Sequence, residues 1–371
     1  LAVSAVGFPI LGVVAVARSG GLDSLAGRVS PWFAAAFTFL ISLSIGPCLA
    51  IPRTASTSFE MAVTPFLGEG APAGLLQLIY SVLFFAAALA LALQPERLTD
   101  RLGKILCPIL IALIVVLFVG CLVRPVGGYA APTGSYAGNA AVQGFLDGYQ
   151  TMDTIAALVF GIIIALNIRA RGVEEDGDVV RYTVRSGWMA GALLLAVYAM
   201  LAHIGALSGG AFPGATNGAV VLTNLIPALF GTPGSLLLAA IFIIACFNVC
   251  VGLICSCAEY FNLICPRLSY RVWAVLFAVV SMLIANAGLD MILKVSVPAL
   301  SIIYPVAIAL IALSFFQRWL EGRPMVYPVT ILLTGIASIL YTLRDLKALP
   351  AAASDLLGAL PLAGQGLGWV L

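Results

Sequence analysis

Six consecutive residues, Gly148-Tyr149-Gln150-Thr151-Met152-Asp153, stand in an unusual place. They interrupt what is otherwise an apolar segment over 142–168. The uninterrupted apolar part, Ile155 to Leu166, is about twelve residues, or roughly 18 Å of helix, little more than half a hydrocarbon core. The stretch before it, Gln143 to Asp153, carries two glycines, Gly144 and Gly148, with Gln143, Asp147, Gln150 and Asp153. Such a stretch makes a poor lipid-facing helix. Irregular backbone at membrane depth survives only inside protein or beside a water-filled cavity, so a broken helix lining a cavity is expected. A half-helix that starts near Thr151 to Asp153 presents free N–H groups and the positive end of its dipole. Those groups suit a carboxylate. Thr151 then has two roles open to it, capping the helix or bonding a ligand. Asp153 has two as well: facing an ammonium group, a cation or Tyr149, or simply capping a helix that begins just inside the outer interface.

Other polar groups fall on apolar segments. Asn248, Gly252 and Ser256 recur along the segment 235–258, with Cys250 and Cys255 beside them. Small and polar residues on one face allow close helix packing and offer oxygens to a cation. The segment 33–51 ends in Pro47 and Pro52, which predicts a kinked exit. Arg53 and Glu60 follow, either as a pair at an outer gate or as part of a solvated loop. Segment 297–317 holds Pro298, Ser301, Tyr304 and Pro305, another helix with partly freed backbone. His203, the single histidine, is expected to be a packing or interface residue.

The elements that must position these groups follow from composition. The chain has 371 residues, 62% hydrophobic and only 9% charged, with mean hydropathy +1.12. A soluble domain carries about a quarter charged residues, so this chain cannot cover a water-facing surface. Its apolar runs, each of about 20 residues, match the length of a membrane span. Helices are expected near 1–17, 33–51, 73–94, 105–123, 142–168, 187–206, 235–258, 271–287, 297–317, 326–342 and 355–371. Between Pro213 and Pro233 lies a shorter pattern, Val221, Leu222, Leu225, Ile226 and Leu229, which reads as an outer lid or re-entrant helix. The run opens on Leu1 inside one apolar segment and closes inside another. A fragment is therefore expected, lacking at least one N-terminal helix and part of a C-terminal one.

Most of the 18 Lys and Arg residues fall in alternate loops. Those loops hold Arg18 and Arg28; Arg97, Arg101 and Lys104; Arg169, Arg171, Arg181 and Arg185; Arg267 and Arg271; and Arg318 and Arg323. That side is expected to be cytoplasmic. A net charge of +2 gives no reason to expect a nucleic-acid partner. The eight cysteines form no CxxC pair, which speaks against a zinc or haem site. No nucleophile elbow, Walker loop or HExxH motif occurs, so no catalytic residues and no cofactor are expected.

A set of motifs carries a family resemblance. Gly148-Tyr149-Gln150-Thr151-Met152-Asp153 with Phe160-Gly161 resembles the GY-x-TMD…FG signature of the bacterial branched-chain amino acid carriers, the leucine/isoleucine/valine:cation symporters. Ile45-Gly46-Pro47 with Pro52-Arg53-Thr54-Ala55 and Ser58-Phe59-Glu60 are similar to that family too. So are Val251-Gly252-Leu253 with Cys257-Ala258-Glu259-Tyr260-Phe261, Ser296-Val297-Pro298 with Ile303-Tyr304-Pro305, and Leu360-Pro361-Leu362 with Gln365-Gly366-Leu367.

The resemblance implies an all-α polytopic membrane protein with an inverted-repeat amino acid transporter fold and broken helices. Residues 1–371 would form one transmembrane domain. Within it, 1–123 is the remainder of a first repeat, 142–317 a second repeat and 326–371 the C-terminal helices. The implied function is import of leucine, isoleucine and valine across the bacterial inner membrane, coupled to Na⁺ or H⁺, with no other metal. The implied substrate residues are Gly148, Tyr149, Thr151 and Asp153. The implied cation residues are Asn248, Gly252 and Ser256, and the gate residues Arg53 and Glu60. Val249 stands where the family carries a threonine, which leaves Asn248 as ligand or a proton as the ion. Three rivals are another solute on the same fold, such as a nucleobase or a different amino acid; a membrane-embedded enzyme acting on lipid or prenyl substrates; and a channel.

Overall fold

The computed structural model describes all residues except 69, 94, 125–127, 130, 133, 213, 216, 321 and 371, and all their side chains except those of 95–106, 162, 166 and 170. Arg97, Arg101 and Lys104, and the turn residues Glu69, Gly127 and Pro213, lie outside what is described. The described residues form helices and no strand. In chain order they are α1 (Phe8–Ser19), α2 (Leu22–Gly27), α3 (Pro31–Leu43), α4 (Ala50–Ala62), α5 (Ala73–Ala92), α6 (Pro95–Val123), α7 (Tyr136–Asp147), α8 (Asp153–Ala170), α9 (Asp176–Ser208), α10 (Gly218–Ile264), α11 (Tyr270–Ala285), α12 (Leu289–Phe315), α13 (Gln317–Leu320), α14 (Val326–Asp345) and α15 (Ala351–Gly358).

Among the described residues, six stretches are long and apolar enough to cross a membrane: Pro31–Phe66, Ala73–Ala92, Asp176–Ser208, Gly218–Ile264, Leu289–Phe315 and Val326–Asp345. Val3–Ser19, Cys107–Val123 and Tyr270–Ala285 are shorter apolar helices. Helix α5 shows why lipid is the solvent. Its outward face is Leu75, Leu78, Ile79, Val82 and Leu83, all exposed. Its covered face holds Ser81, whose hydroxyl donates to Asn286 Oδ1 at 3.1 Å. An apolar exterior around hydrogen-bonded polar groups reverses the soluble pattern and meets the demands of a bilayer. The chain is an all-α polytopic membrane protein.

Two compact units divide the chain. One comprises Leu1–Ile41, Pro132–Leu195 and Val295–Leu371; the other comprises Ser42–Ala131 and Ala196–Lys294. In the first, α1 packs along α8. Gly161 of α8 lets the two approach, since an added Cβ there would lie 3.2 Å from the Val16 side chain of α1. In the second, α10 packs along α4. Its N-terminal part buries Leu225, Ile226 and Leu229 and meets Met61, Leu117 and Leu238. That part is set off from the rest of α10 at Gly231, whose φ of 62° and ψ of −155° only glycine adopts readily.

The expected exit after residue 51 is corrected. The kink falls earlier, at Gly46 (φ −82°, ψ −127°), and the chain then resumes a helix, α4, through Ala62. Pro52 sits in the first turn of α4, where its missing N–H would have had no intrahelical partner anyway. Arg53 and Glu60 therefore ride on a helix, and the solvated-loop alternative does not hold.

Candidate functional site

The break in segment 142–168 lies between α7 and α8. Gly148–Thr151 forms one 3₁₀ turn. Met152 then takes the left-handed conformation (φ 63°, ψ 6°), and α8 starts at Asp153. A left-handed non-glycine residue is uncommon and is held in place by its surroundings. Met152 is itself buried, with 7% of its surface exposed.

Gly148 is required by close approach. A Cβ there would lie 1.9 Å from Ser4 Oγ and 2.8 Å from Ser4 Cβ. Ser4 belongs to a short π-helical turn, Val3–Gly7, that leads into α1. The carbonyl of Ser4 accepts from Thr154 Oγ1 at 3.1 Å, which ties the start of α8 to that turn.

Thr151 is not the helix cap. The cap position is Met152, with no side-chain cap bond. Thr151 instead donates its hydroxyl to the Gly148 carbonyl at 2.8 Å, closing the 3₁₀ turn. A hydroxyl that spends its proton this way keeps lone pairs free to accept from a cationic donor. Asp153 occupies the first helical position, where a negative charge is favoured by the helix dipole.

Two tyrosines complete the site. The ring of Tyr149 is buried and stacks on that of Tyr304 of α12, centroids 4.8 Å apart at 21°. Phe145 meets Tyr149 edge-on at 5.5 Å. The Tyr304 hydroxyl approaches the amide and hydroxyl of Thr154 and the hydroxyl of Thr151, and feels the charge of Asp153. The Tyr149 hydroxyl points toward the Trp369 indole. Neither phenol closes a bond of good geometry with these groups. The buried Tyr304 hydroxyl thus faces the N-terminal end of α8, where backbone N–H groups lack intrahelical partners. Beside the break lies a cavity of about 250 Å³ lined by Asp147, Tyr149, Gln150, Ser301, Thr342 and Trp369, among others. The start of α8 offers N–H groups and the Tyr304 hydroxyl to an anion, and the break meets the cavity through Asp147, Tyr149 and Gln150.

The structure brings Gly148, Tyr149, Thr151 and Asp153 together. The remaining expected residues lie on α10 and α4. Asn248, Gly252 and Ser256 share one face of α10 by their spacing of four. Ser256 Oγ donates to the Gly252 carbonyl at 2.9 Å. A Cβ at Gly252 would meet nothing within 4 Å, so the helix surface is open there. Val249 is half exposed. Arg53 and Glu60 sit two turns apart on α4. Arg53 lies near Tyr198 and Cys246, and Glu60 near Asp290. His203 Nδ1 pairs with the Tyr129 hydroxyl at 2.7 Å and packs on Phe118, an ordinary packing role. Among the described residues no cluster of His, Cys, Asp and Glu is suited to a metal. Sequence reasoning missed Tyr304, Thr154, Ser4 and Trp369 as site residues. For Tyr304 the adjacent Pro305 was a partial signal; the others gave none.

These features define a multi-pass α-helical membrane protein with a polar break in one of its helices. The chain belongs to the branched-chain amino acid transport protein family, whose sequence profile matches residues 1–371. The branched-chain amino acid transport system 2 carrier protein of Pseudomonas aeruginosa is 43% identical over 367 residues, 99% of this chain and 83% of that protein. The branched-chain amino acid permease BrnQ of Escherichia coli (strain K12) is 40% identical over 375 residues, 100% of this chain and 83% of that protein. The permease BraB of Bacillus subtilis (strain 168) is 38% identical over 368 residues, 99% of this chain and 82% of that protein. The family is one of transport proteins, not enzymes, which sets aside the lipid-modifying rival.

Proposed function

We propose that this protein imports leucine, isoleucine and valine across the bacterial cytoplasmic membrane, driven by Na⁺ or H⁺. The observation that carries the reading is the break at Gly148–Met152, with the buried Tyr304 hydroxyl facing the start of α8. A substrate carboxylate takes the α8 N-terminus, as anions do at such ends. Its ammonium takes Thr151 and Asp153. The branched side chain needs only apolar contact. Asn248, Gly252 and Ser256 serve the coupling ion, and Arg53 and Glu60 gate the outer approach. Residues 1–123, as the remainder of a first repeat, and 142–317 form two inverted repeats, and alternating access rocks one helix bundle against the other. No covalent chemistry is required. Membrane potential supplies about 2.3 kcal/mol per charge per 100 mV.

The test is uptake of labelled leucine by proteoliposomes under an inward Na⁺ gradient, an inward H⁺ gradient and neither. Uptake driven by one gradient, competed by isoleucine and valine and lost in Asp153→Asn, supports the whole reading. Uptake competed better by a nucleobase or an unbranched amino acid replaces the substrate. Saturating uptake indifferent to both gradients removes ion coupling.

A further inference from the structure

A second polar cavity, of about 540 Å³, lies away from the break. It is lined by Arg18 and Ser19 at the end of α1, Arg28 just after α2, Phe315 at the end of α12, and Gln317 and Arg318 on α13. The three arginines come from two loops that charge asymmetry assigns to the cytoplasmic side. No acidic side chain lines the cavity among the described residues.

The site is built rather than incidental. Arg28 is half-buried and held from two directions: Nη2 donates to Ser19 Oγ at 3.0 Å and Nη1 to the Tyr327 hydroxyl at 3.3 Å. Tyr327 is fixed in turn, donating to the Leu313 carbonyl at 3.0 Å. The Arg18 guanidinium lies over the Phe315 ring, 5.9 Å from its centroid. An arginine held by neutral hydroxyls and an aromatic face keeps its full charge and spare donors. With Arg318, Arg18 and Arg28 make three positive charges around one concavity, lined by no carboxylate among the described residues, and such a cluster favours an anion. Arginine forks match phosphate oxygens.

The surroundings indicate where the anion comes from. Phe316 and Trp319 flank the cavity in sequence and are exposed, Trp319 by 78%. Tryptophan at helix ends marks the membrane–water interface. Basic pockets between helices on the cytoplasmic side suit anionic lipid headgroups.

We propose that this cavity binds one phosphate group, carried by an anionic lipid headgroup or as free phosphate. The site stands apart from the transport reading, since it requires neither the substrate nor the coupling ion.

Purified protein in neutral detergent is titrated with phosphatidylglycerol, phosphatidylcholine or inorganic phosphate. Adducts are read by native mass spectrometry and Tm by thermal unfolding. Phosphatidylglycerol should bind and raise Tm while phosphatidylcholine does neither. Each arginine near an anionic headgroup is worth about a fivefold change in affinity. Arg28→Gln should therefore weaken binding about fivefold, and R18Q/R318Q by more. Arg28 also holds Ser19 and Tyr327, so Arg28→Gln loses stability of its own. The double variant, on exposed side chains, is the cleaner arm and should keep the lipid-free Tm. Arg171→Gln, which removes one charge elsewhere, should bind as the parent does. A Tm rise with inorganic phosphate alone, lost in the double variant, keeps the site and assigns it to free phosphate. Equal binding by parent and double variant, or equal binding of phosphatidylcholine, overturns the proposal.

Discussion

At the scale of single residues, the site depends on one steric fit and one unusual hydroxyl. Gly148 has ordinary helical dihedrals, so nothing in its backbone demands glycine; Ser4 does. Gly148→Ala would drive a methyl into a buried serine, an overpacking cost of about 1–3 kcal/mol. The expected outcome is a lower Tm and reduced leucine uptake. Ser4→Gly removes both nearest atoms, leaving the Ala5 amide at 3.3 Å. The double variant should therefore recover part of the loss, and strictly additive effects would show that the contact is not the cause. Tyr304→Phe separates structure from binding. Its ring stack survives, and a buried hydroxyl without a closed bond disappears, which relieves a desolvation cost of about 1–3 kcal/mol. Tm should hold or rise while the KM for leucine rises. A fallen Tm with an unchanged KM would make Tyr304 a packing residue only.

At the scale of elements, what was legible follows from range. The break between α7 and α8 was readable because its cause is local: glycines, amides and carboxylates interrupt an apolar run whose length is known. The short helical start of α10 before Gly231 was readable for the same reason, from its apolar spacing. The continuation of α4 past residue 51 was misread, since two nearby prolines resemble a helix exit unless the second lands in a new first turn. The tyrosine pair was invisible, because Tyr149 and Tyr304 meet only through the packing of α12 beside the break. Gly231 makes an element-scale prediction. Its φ of 62° and ψ of −155° put it where side chains are strained, although a Cβ would find only Pro233 Cδ at 3.9 Å. Gly231→Ala should therefore cost about 1–3 kcal/mol through backbone conformation and not through crowding. A Tm drop not rescued by trimming Pro233 to Ala would agree, while an unchanged Tm would show that the hinge relaxes freely.

At the scale of the whole molecule, orientation rests on charge, and one helix is enough to test it. Helix α9 runs from Asp176 to Ser208, 33 residues or about 50 Å, more than a bilayer core requires. Its ends therefore emerge on opposite faces. The N-terminal end adjoins Arg169 and Arg171, with Arg169 paired to Asp176; such an exposed pair adds little stability but marks a wet, polar face. The C-terminal end leads into an uncharged connection through Gly209, Gly210 and Ala211. The asymmetry of Lys and Arg predicts that the first end is cytoplasmic. In a variant whose eight cysteines are replaced, Ala211→Cys should react with an impermeant maleimide in intact cells, and Arg171→Cys only in inside-out vesicles. Both positions are exposed, so access depends on sidedness and not on burial. The reverse pattern would invert the topology and move the arginine cavity to the outer face, away from the anionic leaflet that would supply its ligand. Labelling of both positions from one side would mean that α9 does not cross, and the reading of the chain as a stack of alternating spans would fail with it.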